Sequence, residues 1–415
     1  TAASMTTYTP RQLTMEMGPM GPIGEGASLM LRVNRNCPWN KCLFCHVYKE
    51  STFSVRAKDE VKADIDAAAR VQRLLEAISF DIGLSGRINR EVVGEFARQN
   101  SAIYGNPGDN LSHSQWLALQ SLHNIANWLA QGARRVFLQD ANGLYMKQKD
   151  LLEVLRHLRA SFPTVESVTC YARSRTCAQR SVEELRELHD AGLVWAFVGI
   201  ESGCDEVLDY MRKGATRTEH LTGGIKLKES GISMAAFVMP GLAGGKKELS
   251  RKHIAETISI LNEVRPAEVR VRSLAIMESA PLHVRWRLGE FTHPTDGQMV
   301  DELQQILEGL TFDCVFETLQ LTNVFTMKGR LSAKRGAWLA DIARHKALSP
   351  VERARYILHR YLSDGYLDCV KSWGLYDARL QTLVGEAAQS VQARSADALE
   401  KVDRAIVAIK AKGIP

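Results

Sequence analysis

The feature that most narrows the fold is a rhythm. Short apolar runs at 29–33, 135–139, 165–171, 194–201, 233–240 and 268–276 alternate with helical patterns near 55–78, 148–160, 181–191, 204–212 with 217–229, and 247–264. Alternation of this kind reads as parallel strands joined by right-handed crossovers. Six such units fit an α/β fold of the partial (β/α)6 TIM-like barrel type with a helical C-terminal extension. An open doubly wound sheet competes, but no Gly-x-Gly-x-x-Gly follows the first strand, which weakens its dinucleotide-binding form. The rhythm divides the chain into an irregular leader (1–27), a barrel core (28–280) with a helical insertion at about 81–134, and a mainly helical region (281–415). Helices are expected at 113–131, 297–310, 333–344 and 349–362. The last opens Ser349-Pro350-Val351-Glu352, a capping box with proline at the first helical position. The basic amphipathic tail, 395–412, reads as a packed or frayed terminal helix and not as a membrane anchor.

Composition sets outer bounds. With 45% apolar and 24% charged residues over 415 positions, the chain reads as a globular protein. The net charge of +6 is spread without a basic block; it permits an anionic substrate and does not argue for nucleic acid. No apolar stretch reaches the roughly 20 residues that span a bilayer. Residues 1–7 show no charged start leading into an apolar core, so no secretory signal and a cytoplasmic location are expected. Eight cysteines are too few for a disulfide scaffold at this length. Cys170, Cys177, Cys204, Cys314 and Cys369 are scattered singly, as suits a reducing compartment.

The other three cysteines are concentrated in Cys37-Pro38-Trp39-Asn40-Lys41-Cys42-Leu43-Phe44-Cys45, directly after the first apolar run. Three thiolates on one short loop can hold three irons of a [4Fe–4S] cluster and leave the fourth open to a substrate or cofactor. Zinc is an alternative and wants four ligands. Cys42 and Cys45 form one knuckle, Cys37 a third ligand, and His46, adjoining Cys45, an awkward fourth; no second knuckle follows. A plain electron-transfer cluster needs a fourth cysteine, and none is near.

Polar groups gather at the ends of the later strands. Leu138-Gln139-Asp140-Ala141-Asn142-Gly143 offers side-chain and backbone oxygens, although these residue types also favour turns. Arg173 can fork onto a carboxylate, or form an ion pair at the rim. Glu201, in Gly199-Ile200-Glu201-Ser202-Gly203, can accept from hydroxyls or cap a neighbouring loop. Strand alternation puts Arg270 and Arg272 on one face, toward an acidic substrate or in an outward ion pair. The polar, glycine-bearing segment 322–330 is a candidate cover for the barrel mouth.

The cysteine loop, with aromatic Phe44 just before its third cysteine, resembles that of the radical S-adenosylmethionine (radical SAM) enzymes. The segment Gly199–Gly203, followed by Met211-Arg212-Lys213-Gly214, resembles members related to coproporphyrinogen dehydrogenase and the methylthiotransferases. The family's usual spacing is C-x3-C-x2-C, one residue shorter between the first two cysteines, and its Gly-Gly-Glu after the second strand is absent here. The resemblance covers roughly 28–280. It implies a [4Fe–4S] cluster on Cys37, Cys42 and Cys45, and SAM held by five residues. Phe44 would lie near adenine, Asp140 and Asn142 near the amino group, Arg173 near the carboxylate and Glu201 at the ribose. It further implies reductive cleavage of SAM to a radical, most often 5′-deoxyadenosyl, with 3-amino-3-carboxypropyl as the alternative. A flavodoxin or ferredoxin would supply the electron. A small-molecule substrate is the first expectation and RNA or protein the runner-up. A non-catalytic iron–sulfur or zinc-binding protein is the reading outside enzymes. Few residues precede the loop for a cobalamin domain, and no second cysteine group offers an auxiliary cluster; methylthiotransfer and sulfur insertion are therefore not expected.

Overall fold

The computed structural model describes residues 8–19, 21–106, 108–363 and 366–413. Residues 1–7, on which the expectation of no secretory signal rests, lie outside the described residues. The chain forms two compact units: residues 1–38, 51–197 and 226–233, and residues 39–50, 198–225 and 234–415.

The first unit holds strands β1 (Leu29–Arg32), β2 (Asn34–Arg35), β3 (Ser54–Val55), β4 (Arg135–Gln139) and β5 (Ser167–Ala172). β1, β4 and β5 run parallel in that order, with Leu31 opposite Leu138 and Leu138 opposite Cys170. In β4 only Arg135 is exposed, as expected of a parallel strand covered on both faces. The helix Lys58–Asp81 buries Val61, Ile65, Ala68, Val71, Leu75 and Ile78, a stripe at three- and four-residue spacing. It packs on the helix Gln148–Ser161. The insertion is helical as expected, over Arg90–Gln99, Ser101–Tyr104 and His113–Ala130. β2 and β3 form a two-residue antiparallel ladder, Asn34 opposite Val55 and Arg35 opposite Ser54. It pins both ends of the cysteine-bearing segment, and two residues are too few to show a period in the sequence.

Strand β6 (Leu193–Glu201) is shared, residues up to Phe197 belonging to the first unit and those from Val198 to the second. The second unit continues with β7 (Ser233–Val238), β8 (Glu268–Val271), β9 (Val315–Glu317) and β10 (Lys328–Arg330). β7, β8 and β9 are parallel, and β10 lies antiparallel on β9. The architecture is therefore α/β with mostly parallel strands. β9 and β10 arise in the region read as mainly helical; at three residues each they carry no legible alternation. Segment 322–330, expected as a cover, is instead built in. The Asn323 amide donates to the carbonyls of Val271 (2.7 Å) and Thr318 (3.0 Å), its oxygen accepts from the Ser273 amide, and the segment ends in β10.

The second unit also holds the helices Asp205–Tyr210, Lys247–Val264, Pro281–Arg287, Asp296–Gly309, Leu331–Ala347, Pro350–Ser363, Tyr366–Ser372, Ala378–Gln392 and Ala398–Ala411. The capping box forms, the Ser349 amide donating to Glu352 and the Glu352 amide to Ser349. Ile357, Tyr361, Leu380, Val402 and Ile406 share one core, so the amphipathic tail is a packed helix. Among the described residues, no helix is long and apolar enough to cross a membrane.

Candidate functional site

The surroundings of the eight cysteines sort them. Cys170, Cys177, Cys204 and Cys314 are buried, whereas Cys37, Cys42 and Cys45 are half-buried, as is Cys369. Burial pushes the Cys177 and Cys314 thiols up to about 12 and raises those of Cys170 and Cys204 as well. Such groups stay protonated at neutral pH and are poor metal ligands. Cys37 belongs to the first unit, Cys42 and Cys45 to the second.

Within the second unit the loop is tied to residues 211–214. The Leu43 amide donates to the Met211 carbonyl (2.9 Å), Trp39 Nε1 to the Arg212 carbonyl (2.7 Å), and Cys42 Sγ lies 3.9 Å from the Lys213 carbonyl. Lys213 Nζ stands 5.7 Å from the centre of the Phe44 ring, a cation–π contact. Gly214 has φ +64°, and a Cβ there would stand 2.2 Å from the Trp39 ring, so only glycine fits. Asn40 and Lys49 bridge the loop internally, Asn40 to the Tyr48 carbonyl and Lys49 to that of Asn40. Cys42 and Cys45, half-buried on this fastened loop, are thiols of the kind an iron–sulfur cluster takes. Among the described residues, no three or more His, Cys, Asp or Glu side chains converge as a single-metal centre requires. Burial, then the Arg272 charge, lowers the pKa of His46.

In the first unit, Asp140 is fully buried just past β4. Its carboxylate accepts from Arg32 Nε (2.9 Å) and Nη2 (2.7 Å) and from the Asn36 amide (2.9 Å). Arg32 also reaches Glu16, which Arg35 grips with two bonds of 2.7 Å. Burial alone would raise the Glu16 pKa; the Arg35 hydrogen bond and the charges of Arg56, Arg35 and Arg32 outweigh it and hold the group below its ordinary value. Asn142, also fully buried, donates to Thr176 Oγ1 (2.8 Å), accepts from the Arg173 amide (3.3 Å), and offers its carbonyl to Asn34 Nδ2 (2.7 Å). Arg173 is half-buried and precedes the short helix Ser174–Gln179. The structure thus joins Asn142 to Arg173 directly and gives Asp140 an arginine partner that the sequence reading missed. The signal was present: Arg32 ends an otherwise apolar strand.

In the second unit, Glu201 ends β6 with φ +63°, a left-handed conformation costly for a residue with a side chain. Lys213 Nζ meets its Oε1 at 3.1 Å, both side chains half-buried. Lys213 therefore connects Glu201 to Phe44, a role the sequence reading did not assign. Ser202 is buried against His253. Burial lowers the His253 pKa to about 4, so its ring is neutral at pH 7. Nε2–H then donates to the Met239 carbonyl (3.2 Å) and Nδ1 accepts from the Ser202 hydroxyl (2.7 Å). A Cβ on Gly203 would stand 2.3 Å from the Glu256 carbonyl oxygen, so the turn lies flush on the helix Lys247–Val264. Arg270 is buried in an ion pair with Glu268 (3.0 Å) and Glu317 (3.1 Å). β8 stops at Val271, so strand alternation does not carry through to Arg272, which stands half-buried beyond the strand end.

No family model matches the chain. The tRNA uridine(34) acetyltransferase of Methanocaldococcus jannaschii is 23% identical over 115 residues, 28% of this chain and 20% of that protein. The enzyme of the same name from Methanocaldococcus infernus is 24% identical over 115 residues, 28% of this chain and 21% of that protein. The chain thus spans about a fifth of the length of the curated relatives it matches. Radical SAM enzymes stand among the solved structures it resembles. The radical S-adenosylmethionine methyltransferase TsrM from Kitasatospora setae is 12% identical, with 62% of this chain and 39% of that chain covered and a TM-score of 0.39.

Proposed function

We propose that the chain is a radical SAM enzyme whose [4Fe–4S] cluster is held by Cys37, Cys42 and Cys45. The observation that carries this reading is the contrast among the cysteines: these three are half-buried in one short segment, whose part from Trp39 to Leu43 is fastened to residues 211–212, while four others are sealed in cores. When bound, the cluster supplies the electron that breaks a carbon–sulfur bond of SAM, giving a radical that takes hydrogen from an inert C–H bond. The protein's part is binding and orientation. Glu201 accepts from the ribose hydroxyls, its carboxylate aimed by Lys213. Phe44, fixed under the same ammonium, packs beside adenine. Arg173 forks onto the methionine carboxylate. The Asp140 and Asn142 side chains and the Asn142 carbonyl are engaged internally, so the amino group takes the backbone carbonyls of 140 and 141 instead. A flavodoxin or ferredoxin supplies the electron, and the substrate is a small molecule.

Anaerobic reconstitution followed by SAM and dithionite tests this. About four irons and four sulfides per chain, with 5′-deoxyadenosine released and both lost in Cys42→Ala, support it. One equivalent of zinc with no cluster obtainable overturns it in favour of a binding protein.

A second reading, RNA as the substrate, is favoured by one observation: both curated relatives reported above are named as tRNA-modifying enzymes. Bulk tRNA that accelerates SAM cleavage and gains a new nucleoside by mass spectrometry would select it over the small-molecule reading.

A further inference from the structure

The second unit contains a cavity of about 560 Å³ between residues 278–296 and the two C-terminal helices. None of its lining residues belongs to the site above. Its volume is in the range of small-molecule sites. Its chemistry is graded from inside to outside.

The inner end is carboxylate. Asp296 lines the cavity and is 7% exposed. Its Oδ1 is held by Lys410 Nζ at 2.7 Å, and Lys410 is itself 1% exposed. Its Oδ2 is buried with no hydrogen-bond partner among the described residues. A buried carboxylate oxygen left unpaired is costly, and in native proteins such an atom calls for a donor. Asp403 lines the same cavity and feels the Asp296 charge. Lys410 and Arg353 both act on Asp403, and the unpaired Asp296 Oδ2 leaves the inner end with an acceptor to spare. The wall is aromatic: the Trp286 ring lies 5.6 Å from the ring of His293 and 5.6 Å from that of His283, and all three line the cavity. The mouth is basic. Arg287 and Arg379 are exposed there and make no ion pair among the described residues.

We propose that this cavity binds a small planar molecule with adjacent N–H donors at one end and an anionic group at the other, the chemistry of a guanine nucleotide. The ring N–H and exocyclic amine of guanine match Asp296 Oδ2 and Asp403. The base stacks on Trp286, as aromatic side chains do with nucleobases. The phosphate meets the Arg287 and Arg379 guanidinium groups, which bind it as planar forks. Adenine has no ring N–H beside its amine, and arginine has the donors and the anion but no ring to stack.

Calorimetry on the full chain with GMP, AMP and arginine tests this without the cluster. The expected result is saturable GMP binding, about tenfold or more tighter than AMP or arginine. Asp403→Leu and Trp286→Leu should each weaken GMP about tenfold, with unfolding curves confirming that the variants fold. Asp296→Asn is a poorer first test, because it strips Lys410 of its partner. No saturable GMP binding, equal binding of AMP, preference for arginine, or affinity unmoved in both variants would each overturn the proposal.

Discussion

Asp140 and Glu201 each stand at the carboxyl end of a strand, one in each unit, and the protein treats them oppositely. Asp140 is wholly buried, and its Oδ2 accepts from Arg32 Nε and the Asn36 amide while Arg32 Nη2 pairs with it at 2.7 Å. Glu201 keeps 12% of its side chain exposed and is held by Lys213. A carboxylate offers about four lone-pair sites. Asp140 ties Arg32 of β1 and the Asn36 amide to the turn after β4. Glu201 is steered by one flexible cation and keeps acceptor capacity for a ligand. The same residue chemistry at equivalent strand ends thus yields a structural clamp in one unit and a candidate binding group in the other.

The largest expected effect comes from breaking the clamp. Asp140→Asn keeps the shape but removes the buried one of Arg32's carboxylate partners and leaves it the more exposed Glu16, which should cost about 3 kcal/mol. Glu201→Gln should cost under about 1 kcal/mol, its pair being partly exposed, yet weaken SAM binding about tenfold. Urea midpoints and SAM titrations on both variants read this directly. Equal stability losses would abolish the contrast.

Gly214→Ala comes next, because it bears on how the Glu201 side is held together. The new methyl group would meet the Trp39 ring at a φ of +64°, and overpacking of this kind costs about 2 kcal/mol. Trp39→Leu added to Gly214→Ala should recover part of the loss, showing that the ring is what the glycine accommodates. A single variant as stable as the parent would mean the loop is not fastened there.

Asp403 extends the comparison to a carboxylate with no hydrogen-bond partner identified. Burial pushes its pKa up to about 7, the Asp296 charge adds, and Lys410 and Arg353 oppose. A folded-state value above the unfolded one means that the folded chain keeps a proton the unfolded chain has lost. Its stabilising contribution is complete below pH 3.8 and disappears as pH rises toward 7. Asp403→Asn should flatten that part of the stability profile and raise stability at pH 8 by about 2 kcal/mol. An unchanged slope would place the titration elsewhere, Glu302 being the other carboxyl pushed up to about 7.

What the sequence revealed follows from how local each signal is. β1 and the strands from β4 to β8 showed because apolar runs of four to nine residues carry a period, whereas the two-residue β2 and β3 carry none. β9 and β10 did not, being three residues each. The cysteine spacing and Ile200-Glu201-Ser202-Gly203 stood out because their chemistry is contiguous. Arg32 with Asp140, separated by 108 residues, and Asp296 with Lys410, separated by 114, are pairings that only the folded chain creates. Lys213 carries no signal of its task in Met211–Gly214, since Glu201 and Phe44, which it meets, lie on other segments.

The smallest effect is the most discriminating. If Lys213 steers Glu201, the two should be coupled, and a cycle of Lys213→Met, Glu201→Gln and the double variant measures the coupling apart from packing losses. With both side chains half-buried at 3.1 Å, about 1 kcal/mol of coupling in stability is expected. A clamp like that of Asp140 would give about 3 kcal/mol, as a buried pair does. The same cycle read in SAM affinity should show Lys213→Met weakening binding only while Glu201 is present, because the lysine acts through the carboxylate it orients. Independent losses in affinity would make Lys213 a ligand contact in its own right and remove it as the positioning group.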